Sequence, residues 1–143
     1  MQICPRFCLL SFFALFLASC GNSGTTTPPP PLSDKFADIQ TQTLNGSCAI
    51  SGCHVGSSPK ALLNLQTGKA YSQLMNNPIQ NDAALKRYSR LVVPGKPDSS
   101  FLYIKLTNPK TDEGELMPQR TGTLSKEELD AIRSWITRGA PND

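Results

Sequence analysis

The sequence predicts a small, all-α domain. No run of residues shows the apolar–polar alternation of a β-strand, whereas the C-terminal segment places apolar residues at helical spacing directly after a helix-start signal. A leader and a proline-rich stretch precede the remaining chain of about 110 residues, which is the length of one domain. We therefore expect a single helical unit from residue 34 to residue 143.

Residues 1–19 have the pattern of an export signal. Arg6 is followed by an apolar run from Phe7 to Leu17, which is too short to span a bilayer as a stable helix. The run ends in Leu17-Ala18-Ser19-Cys20, which resembles the bacterial lipobox. That resemblance implies cleavage before Cys20 and acylation of the new N-terminal cysteine. The alternative is an ordinary secretory signal cut nearby, with Cys20 as a spare thiol.

Residues 20–33 are predicted to form a flexible tether after the lipidated cysteine. They combine glycine, serine and threonine with Pro28-Pro29-Pro30-Pro31, a composition that stays extended and buries little apolar surface. We expect the domain to be lipid-anchored to a membrane of the cell envelope, on the periplasmic or outer-membrane face.

The charge of the chain argues against a nucleic-acid partner. The formal net charge is +3, and it falls by one unit with the signal, whose only charged residue is Arg6. Nucleic-acid binding needs a concentrated basic face, and a nearly neutral domain offers little for one.

The first helix of the domain is predicted from Asp34 to about Leu44, with Ser33 as its N-cap. Asn45-Gly46 is a dipeptide typical of turns, so we expect it to end this helix and lead into the next segment.

The middle of the domain contains two shorter predicted helices. One spans Lys69 to Met75, and the other is capped by Asp98 and runs to about Leu106. Between them, Leu91-Val92-Val93 is a brief extended piece that the following proline-rich turn stops.

The last helix has the clearest local signals. Ser125 and Glu128 form a capping box at its start, and Gly139 is placed to end it. Its apolar stripe is expected to pack on the first helix and consists of Leu129, Ile132, Trp135 and Ile136.

The segment Cys48-Ala49-Ile50-Ser51-Gly52-Cys53-His54 carries the strongest functional signal. Two cysteines followed by histidine are the pattern of covalent haem attachment, usually spaced C-x-x-C-H, in which both thiols form thioethers and the histidine binds iron. Two further residues separate the cysteines here, a form that resembles attachment sites of some multihaem cytochromes. His54 is the only histidine, so the pattern predicts one covalent haem c with His54 as proximal ligand.

Other chemistry at this segment is less well supported by the sequence. A disulfide between Cys48 and Cys53, with His54 as an ordinary surface residue, is the main alternative. Zinc would lack a fourth soft or borderline ligand after signal cleavage. A cysteine nucleophile needs a histidine that faces the thiol in space, which a neighbour in sequence seldom does.

Met117 is the candidate for the other side of the iron. The following Pro118 disfavours helix at Met117, so Met117 is expected on a loop from which its thioether can point inward. Met75 is the only other methionine of the mature chain, and its place on a predicted helix beside Leu74 favours a role in the core.

The order of these segments resembles the small soluble cytochromes c: an N-terminal helix, the cysteine–histidine segment, middle helices, a Met-Pro loop and a C-terminal helix. Residues 91–102 and 132–143 are also similar to segments of bacterial cytochrome c-like domains. The resemblance implies a small helical fold around one covalently bound haem, with Met117 as distal ligand, and haem attachment outside the cytoplasm. The departure is the spacing of Cys48 and Cys53.

A haem iron bound by histidine and methionine has both axial positions filled and is suited to one-electron transfer. We therefore expect a membrane-tethered electron carrier that serves a redox protein partner in the envelope and is not itself an enzyme. Lys60, Lys69 and Lys110 could steer docking, or they could be ordinary solvated lysines. Two rivals remain: a haem-free binding or scaffold lipoprotein with a Cys48–Cys53 disulfide, and a haem enzyme or gas sensor in which Met117 dissociates.

Overall fold

The computed structural model describes residues 32–143, and within them every regular element is helical. The predicted all-α class is therefore confirmed for this part of the chain. The predicted signal, Cys20 and most of the predicted tether lie outside the described residues. Within residues 32–143, no helix combines the length and the apolar character needed to cross a bilayer.

Five longer helical segments and three single turns follow one another along the chain. Helix α1 is α-helical over Phe36–Asp38 and continues as a π-helix over Ile39–Cys48; α2 spans Ala70–Asn76, α3 Asp82–Leu85, α4 Phe101–Thr107 and α5 Lys126–Thr137. The 3₁₀ turns are Lys60–Leu62, Pro97–Ser99 and Thr111–Glu113.

The start of α1 differs from the prediction. The helix begins at Phe36, and Lys35 takes the N-cap position without a side-chain cap. Ser33 donates its hydroxyl to the Asp38 carboxylate instead of capping the helix. The backbone N–H of Phe36 donates to the side-chain carboxylate of Asp143 at 2.9 Å. Asp143 thus accepts the hydrogen bond that the side chain of a local N-cap residue would otherwise accept.

The predicted turn at Asn45-Gly46 was wrong, because both residues lie inside the π-helical part of α1. The Asn45 side chain accepts hydrogen bonds from Gln40 at 2.8 Å and from Thr67 at 3.1 Å. One bond within the helix and one tertiary bond from Thr67 thus hold the asparagine in α1 and override the local turn preference. As a result, α1 extends as far as Cys48.

Helix α5 confirms its sequence signals. Ser125 and Glu128 form the complete capping box. At the other end, Gly139 has a φ of 98°, and its N–H donates to the carbonyl of Ile136 while that of Ala140 donates to the carbonyl of Trp135. This pair of bonds is the Schellman arrangement, which satisfies the last carbonyls of a helix.

The core forms where α5 meets α1 and α4. Ile132, Trp135 and Ile136 are at most 1 % exposed. The ring of Phe36 on α1 lies 5.2 Å from that of Trp135, which confirms the expected packing of the last helix on the first.

The middle of the chain agrees with the prediction in part. Helix α2 is confirmed within one residue at each end. Asp98 was wrongly predicted as a cap, because it lies in the 3₁₀ turn Pro97–Ser99 and forms an ion pair with Arg133. Helix α3 was not predicted; the side chain of Asn81 caps it by accepting from the N–H of Ala84 at 2.8 Å.

Candidate functional site

A cleft of about 570 Å³ opens between the cysteine segment, α4 and the loop that carries Met117. Cys48, Cys53, His54 and Met117 all line it, although they come from separate parts of the sequence. Met75 packs against the hydrophobic core and, among the described residues, lies outside the lining of this cleft.

The walls of the cleft are mainly apolar. They are formed by Ala61, Leu63, Leu65, Pro78, Leu91, Phe101, Leu102 and Leu106. Polar lining comes from Ser47, Lys60, Gln80, Asn81, Lys105, Glu113, Gln119 and Arg120. An apolar interior with a few polar groups is typical of sites that bind organic cofactors, whose volumes are roughly 300–1,000 Å³.

His54 is held by both its ring and its backbone. The ring Nδ1 lies 3.2 Å from the carbonyl oxygen of Leu63. The backbone N–H of His54 donates to the carbonyl of Cys48 at 3.2 Å, and its carbonyl accepts from Leu65 at 2.8 Å. When Nδ1 donates to Leu63, Nε2 carries the lone pair, which is the tautomer that a metal-binding histidine needs.

A strained turn directly precedes Leu63 and positions the carbonyl oxygen that the His54 ring contacts. Ala61 and Leu62 have φ values of 52° and 55°, in the left-handed region that residues with a Cβ rarely adopt. Such a conformation costs about 1–2 kcal/mol per residue. Lys60 anchors this turn, because its N–H donates to the carbonyl of Cys53 at 2.9 Å and its own carbonyl accepts from Leu63. Strain of this kind often lies at functional sites.

Sequence reasoning did not identify the turn Lys60–Leu62 as part of the site. Neither Ala61 nor Leu62 is glycine or asparagine, so no local signal marks the left-handed backbone. The sequence offers as a sign the apolar patch Ala61-Leu62-Leu63-Asn64-Leu65, which follows the cysteine segment after a loop. That patch indicates burial, whereas Leu62 is 66 % exposed.

Cys48 and Cys53 are free thiols in the described structure, with no disulfide between them. Cys48 is buried at the end of α1, and Cys53 is half-buried. Burial, together with the nearby charges of Glu128 and Cys53, raises the pKa of the Cys48 thiol to about 11. The Cys48 thiol is thus neutral at physiological pH and is a poor candidate for a free nucleophile.

The segment between the two cysteines folds into a tight turn. The N–H of Cys53 donates to the carbonyl of Ile50 at 3.0 Å, and Gly52 has a φ of 78°. Together with the bond from His54 to Cys48, this turn returns the chain to the end of α1. Both thiols therefore reach the same cleft despite the two extra residues between them.

Met117 lies on a loop, as predicted, and is partly buried against the core. The Met117–Pro118 peptide is cis. The N–H of Met117 donates to the carbonyl of Lys105 on α4 at 2.9 Å. Helix α4 therefore fixes the position of the Met117 backbone at the cleft.

A buried ion pair stands at the start of the Met117 loop. Glu113 is 2 % exposed, and one of its carboxylate oxygens lies 2.9 Å from Arg87, while the other accepts from the N–H of Lys110 at 2.9 Å. Arg87 also pairs with Asp112 at 2.9 Å. The Glu113 charge is paired and hydrogen-bonded, which is the condition for burying a carboxylate.

The Met117 loop also contacts the cysteine segment directly. The Arg120 guanidinium donates to the carbonyl of Ser51 at 3.1 Å, and the Thr121 hydroxyl donates to that of Ser47 at 3.4 Å. The two halves of the candidate site are thus joined by hydrogen bonds as well as by the common cleft.

The cleft offers one imidazole nitrogen, two thiols and one thioether as donors for a metal or cofactor. Within residues 32–143, no group of three or more His, Cys, Asp or Glu side chains is arranged to hold a metal ion. Comparison of the chain with models of protein families, with curated proteins and with solved structures gave no match.

Proposed function

We propose that this chain is a membrane-tethered c-type cytochrome domain that carries single electrons in the cell envelope. The observation that supports this most directly is the convergence of Cys48, Cys53, His54 and Met117 on one cleft. The sequence predicts these four residues for haem attachment and ligation. Met75, the other candidate methionine, packs against the hydrophobic core.

The cleft is suited to one haem. Its volume lies in the range of cofactor sites, and its leucine and phenylalanine walls match an apolar macrocycle. Nδ1 of His54 contacts the Leu63 carbonyl, and a histidine that ligates a metal through one ring nitrogen usually donates from the other to such an oxygen. An imidazole nitrogen and a thioether sulfur are together a known axial pair for haem iron.

Each site residue then has a separate task. Cys48 and Cys53 would hold the haem through thioethers, His54 would be the proximal ligand and Met117 the distal ligand. When bound, the haem supplies a one-electron redox centre. Around a bound haem, the apolar walls would limit access of water, and His54 and Met117 together would leave no open position for oxygen or peroxide, which favours electron transfer over catalysis.

Membrane attachment and the redox partner rest on the sequence. Cys20, at the lipobox, would carry the lipid, and the proline-rich stretch after it would let the domain reach a partner in the envelope. Of the three lysines considered for docking, Lys60 lines the cleft. It is therefore the lysine best placed to act on a partner at the cleft.

Absorption spectroscopy of the full chain, produced with the haem-attachment machinery, tests the proposal. We expect a Soret band, a six-coordinate low-spin spectrum and one covalent haem per chain. No Soret band, with a Cys48–Cys53 disulfide found by mass spectrometry, would instead support the haem-free lipoprotein. A high-spin spectrum would support the enzyme or sensor alternative.

The pyridine haemochrome spectrum also tests the unusual cysteine spacing. Its absorption band moves to longer wavelength when a vinyl group stays unreacted, so it counts thioether bonds. We expect two bonds in the wild type, and one each in Cys48→Ala and Cys53→Ala. A wild-type spectrum identical to that of Cys48→Ala would show that Cys48 is not attached.

A further inference from the structure

Lys105 on α4 contacts the Met117 loop with both its side chain and its backbone. Its ammonium donates to the carbonyl of Glu113 at 3.1 Å and also to the carbonyl of Glu115. Its own carbonyl accepts the N–H of Met117 at 2.9 Å. One residue thus binds three points within five consecutive residues of the loop.

The loop is shaped to receive this ammonium. Gly114 has a φ of 81°, which turns the chain so that the carbonyls on either side of it both face Lys105. A Cβ added at Gly114 would lie 3.4 Å from the lysine nitrogen, which is an ordinary van der Waals contact, so the positive φ is the reason for glycine at this position. The Glu113 carboxylate is engaged by Arg87 and by the Lys110 N–H.

Lys105 is also partly removed from water, since it lines the cleft and is of intermediate exposure. Burial lowers the pKa of its ammonium, against the opposing effect of Glu113 and Glu115. A partly desolvated ammonium loses hydration, and the two carbonyls replace part of it. Hydrogen bonds from a charged donor are stronger than neutral ones, most of all where water is scarce.

We propose that Lys105 is a positioning residue for Met117, which keeps the thioether in the cleft by fastening the loop before it. The inference rests on the proposed function, because it assigns Lys105 a role in maintaining the distal iron ligand. Without the ammonium, residues 113–115 lose two of their bonds to α4. The loop would then open more often and admit an external ligand in place of Met117.

The test compares Lys105→Met, Lys105→Arg and Lys69→Met in the full-length, haem-loaded protein. Methionine keeps the unbranched apolar stem of lysine and removes the ammonium, whereas arginine keeps a charged donor. Lys69 is an exposed lysine at the start of α2, outside the lining of the cleft. It serves as the matched control, because the three readouts involve no partner protein and so do not depend on docking. The readouts are covalent haem content, the far-red sulfur-to-iron band of the ferric protein and the affinity for imidazole.

We expect Lys105→Met to keep normal haem content, because Cys48, Cys53 and His54 are unchanged. It should weaken the far-red band and raise the affinity for imidazole about tenfold, as expected for the loss of a partly exposed charged hydrogen bond. Lys105→Arg should restore most of the band, and Lys69→Met should resemble the wild type. A Lys105→Met protein with the band and imidazole affinity of Lys69→Met would overturn the role of Lys105 and leave the haem assignment standing.

Amide hydrogen exchange gives a readout that does not depend on the haem spectrum. The Met117 N–H should exchange about tenfold faster in Lys105→Met than in Lys69→Met, since its protection depends on the loop staying closed. Equal exchange in both variants would overturn the proposal. If the wild type contained no haem, the proposed function would be wrong, and Lys105 would have no iron ligand to position. Lys105 could then still protect the loop from exchange, so the two failures are distinguishable.

Discussion

The buried carboxylate of Glu113 allows a sharp test of how the Met117 loop is held. Its side chain is fully buried, whereas Asp112, which binds the same Arg87 guanidinium, has a side chain that is 53 % exposed. Glu113→Gln and Asp112→Asn are the same chemical change on the same partner. They differ mainly in burial, so each is the control for the other.

The expected magnitude follows from the bonds of Glu113. Its two oxygens accept from Arg87 and from the Lys110 N–H, both at 2.9 Å. A glutamine amide has only one acceptor oxygen, so one donor loses its partner, and that loss costs about 1.5–3 kcal/mol for a charged hydrogen bond. The larger cost of breaking a fully buried pair, about 3–5 kcal/mol, is not reached because Arg87 is one third exposed and keeps Asp112. We predict a loss of about 1.5–3 kcal/mol in the free energy of unfolding.

Equilibrium unfolding in urea, followed by tryptophan fluorescence and by the haem spectrum, measures this loss. Asp112→Asn should unfold close to the wild type, because an exposed ion pair contributes little and salt screens it. Equal destabilisation by the two variants would refute the reasoning, since burial would then not decide the outcome. A change of less than about 0.5 kcal/mol in Glu113→Gln, which is typical of a surface substitution, would refute it as well.

The remaining predictions concern the ligands and the anchor. His54→Ala should abolish the low-spin spectrum and lower the yield of folded protein, because no second imidazole exists to replace it; an unaltered spectrum would place the haem elsewhere. Met117→Leu should remove the far-red band, open the sixth position of the iron to carbon monoxide and lower the reduction potential. Met75→Leu should leave the spectrum unchanged and lower the free energy of unfolding by less than about 1.5 kcal/mol. The reverse pattern would assign the distal role to Met75. Cys20→Ala should release the protein from membranes or block its processing, and normal processing with full membrane retention would contradict lipidation at Cys20.

Sequence signals predicted correctly those helices whose ends are held by hydrogen bonds within or next to the helix. Helix α5 is the clearest case, since its cap and its stop both use residues within or next to the helix. Helix α1 was predicted less well, because the carboxylate of Asp143, at the far end of the chain, binds its first N–H. The sequence of residues 33–46 carries no trace of that partner.

In the candidate site, too, some residues could be predicted from the sequence and others only from the structure. Cys48, Cys53, His54 and Met117 were predicted because their residue types carry the chemistry. Two of the contacts that hold them use backbone carbonyl oxygens, that of Leu63 towards His54 and that of Lys105 towards Met117. A carbonyl oxygen is present in every residue, so no residue type signals this role, and only the folded chain identifies it.

The contacts of the Met117 loop bear on the choice between an electron carrier and a ligand-binding haem protein. The loop is joined to α4 through Lys105 and to the cysteine segment through the bond from Arg120 to Ser51. Opening the distal side would therefore break contacts on both sides of the loop. A site that keeps the same ligands and the same surroundings in both oxidation states needs little rearrangement when an electron arrives or leaves. For the proposed haem, this arrangement favours electron transfer, because exchange of Met117 for an external ligand would have to overcome the bonds at both attachments.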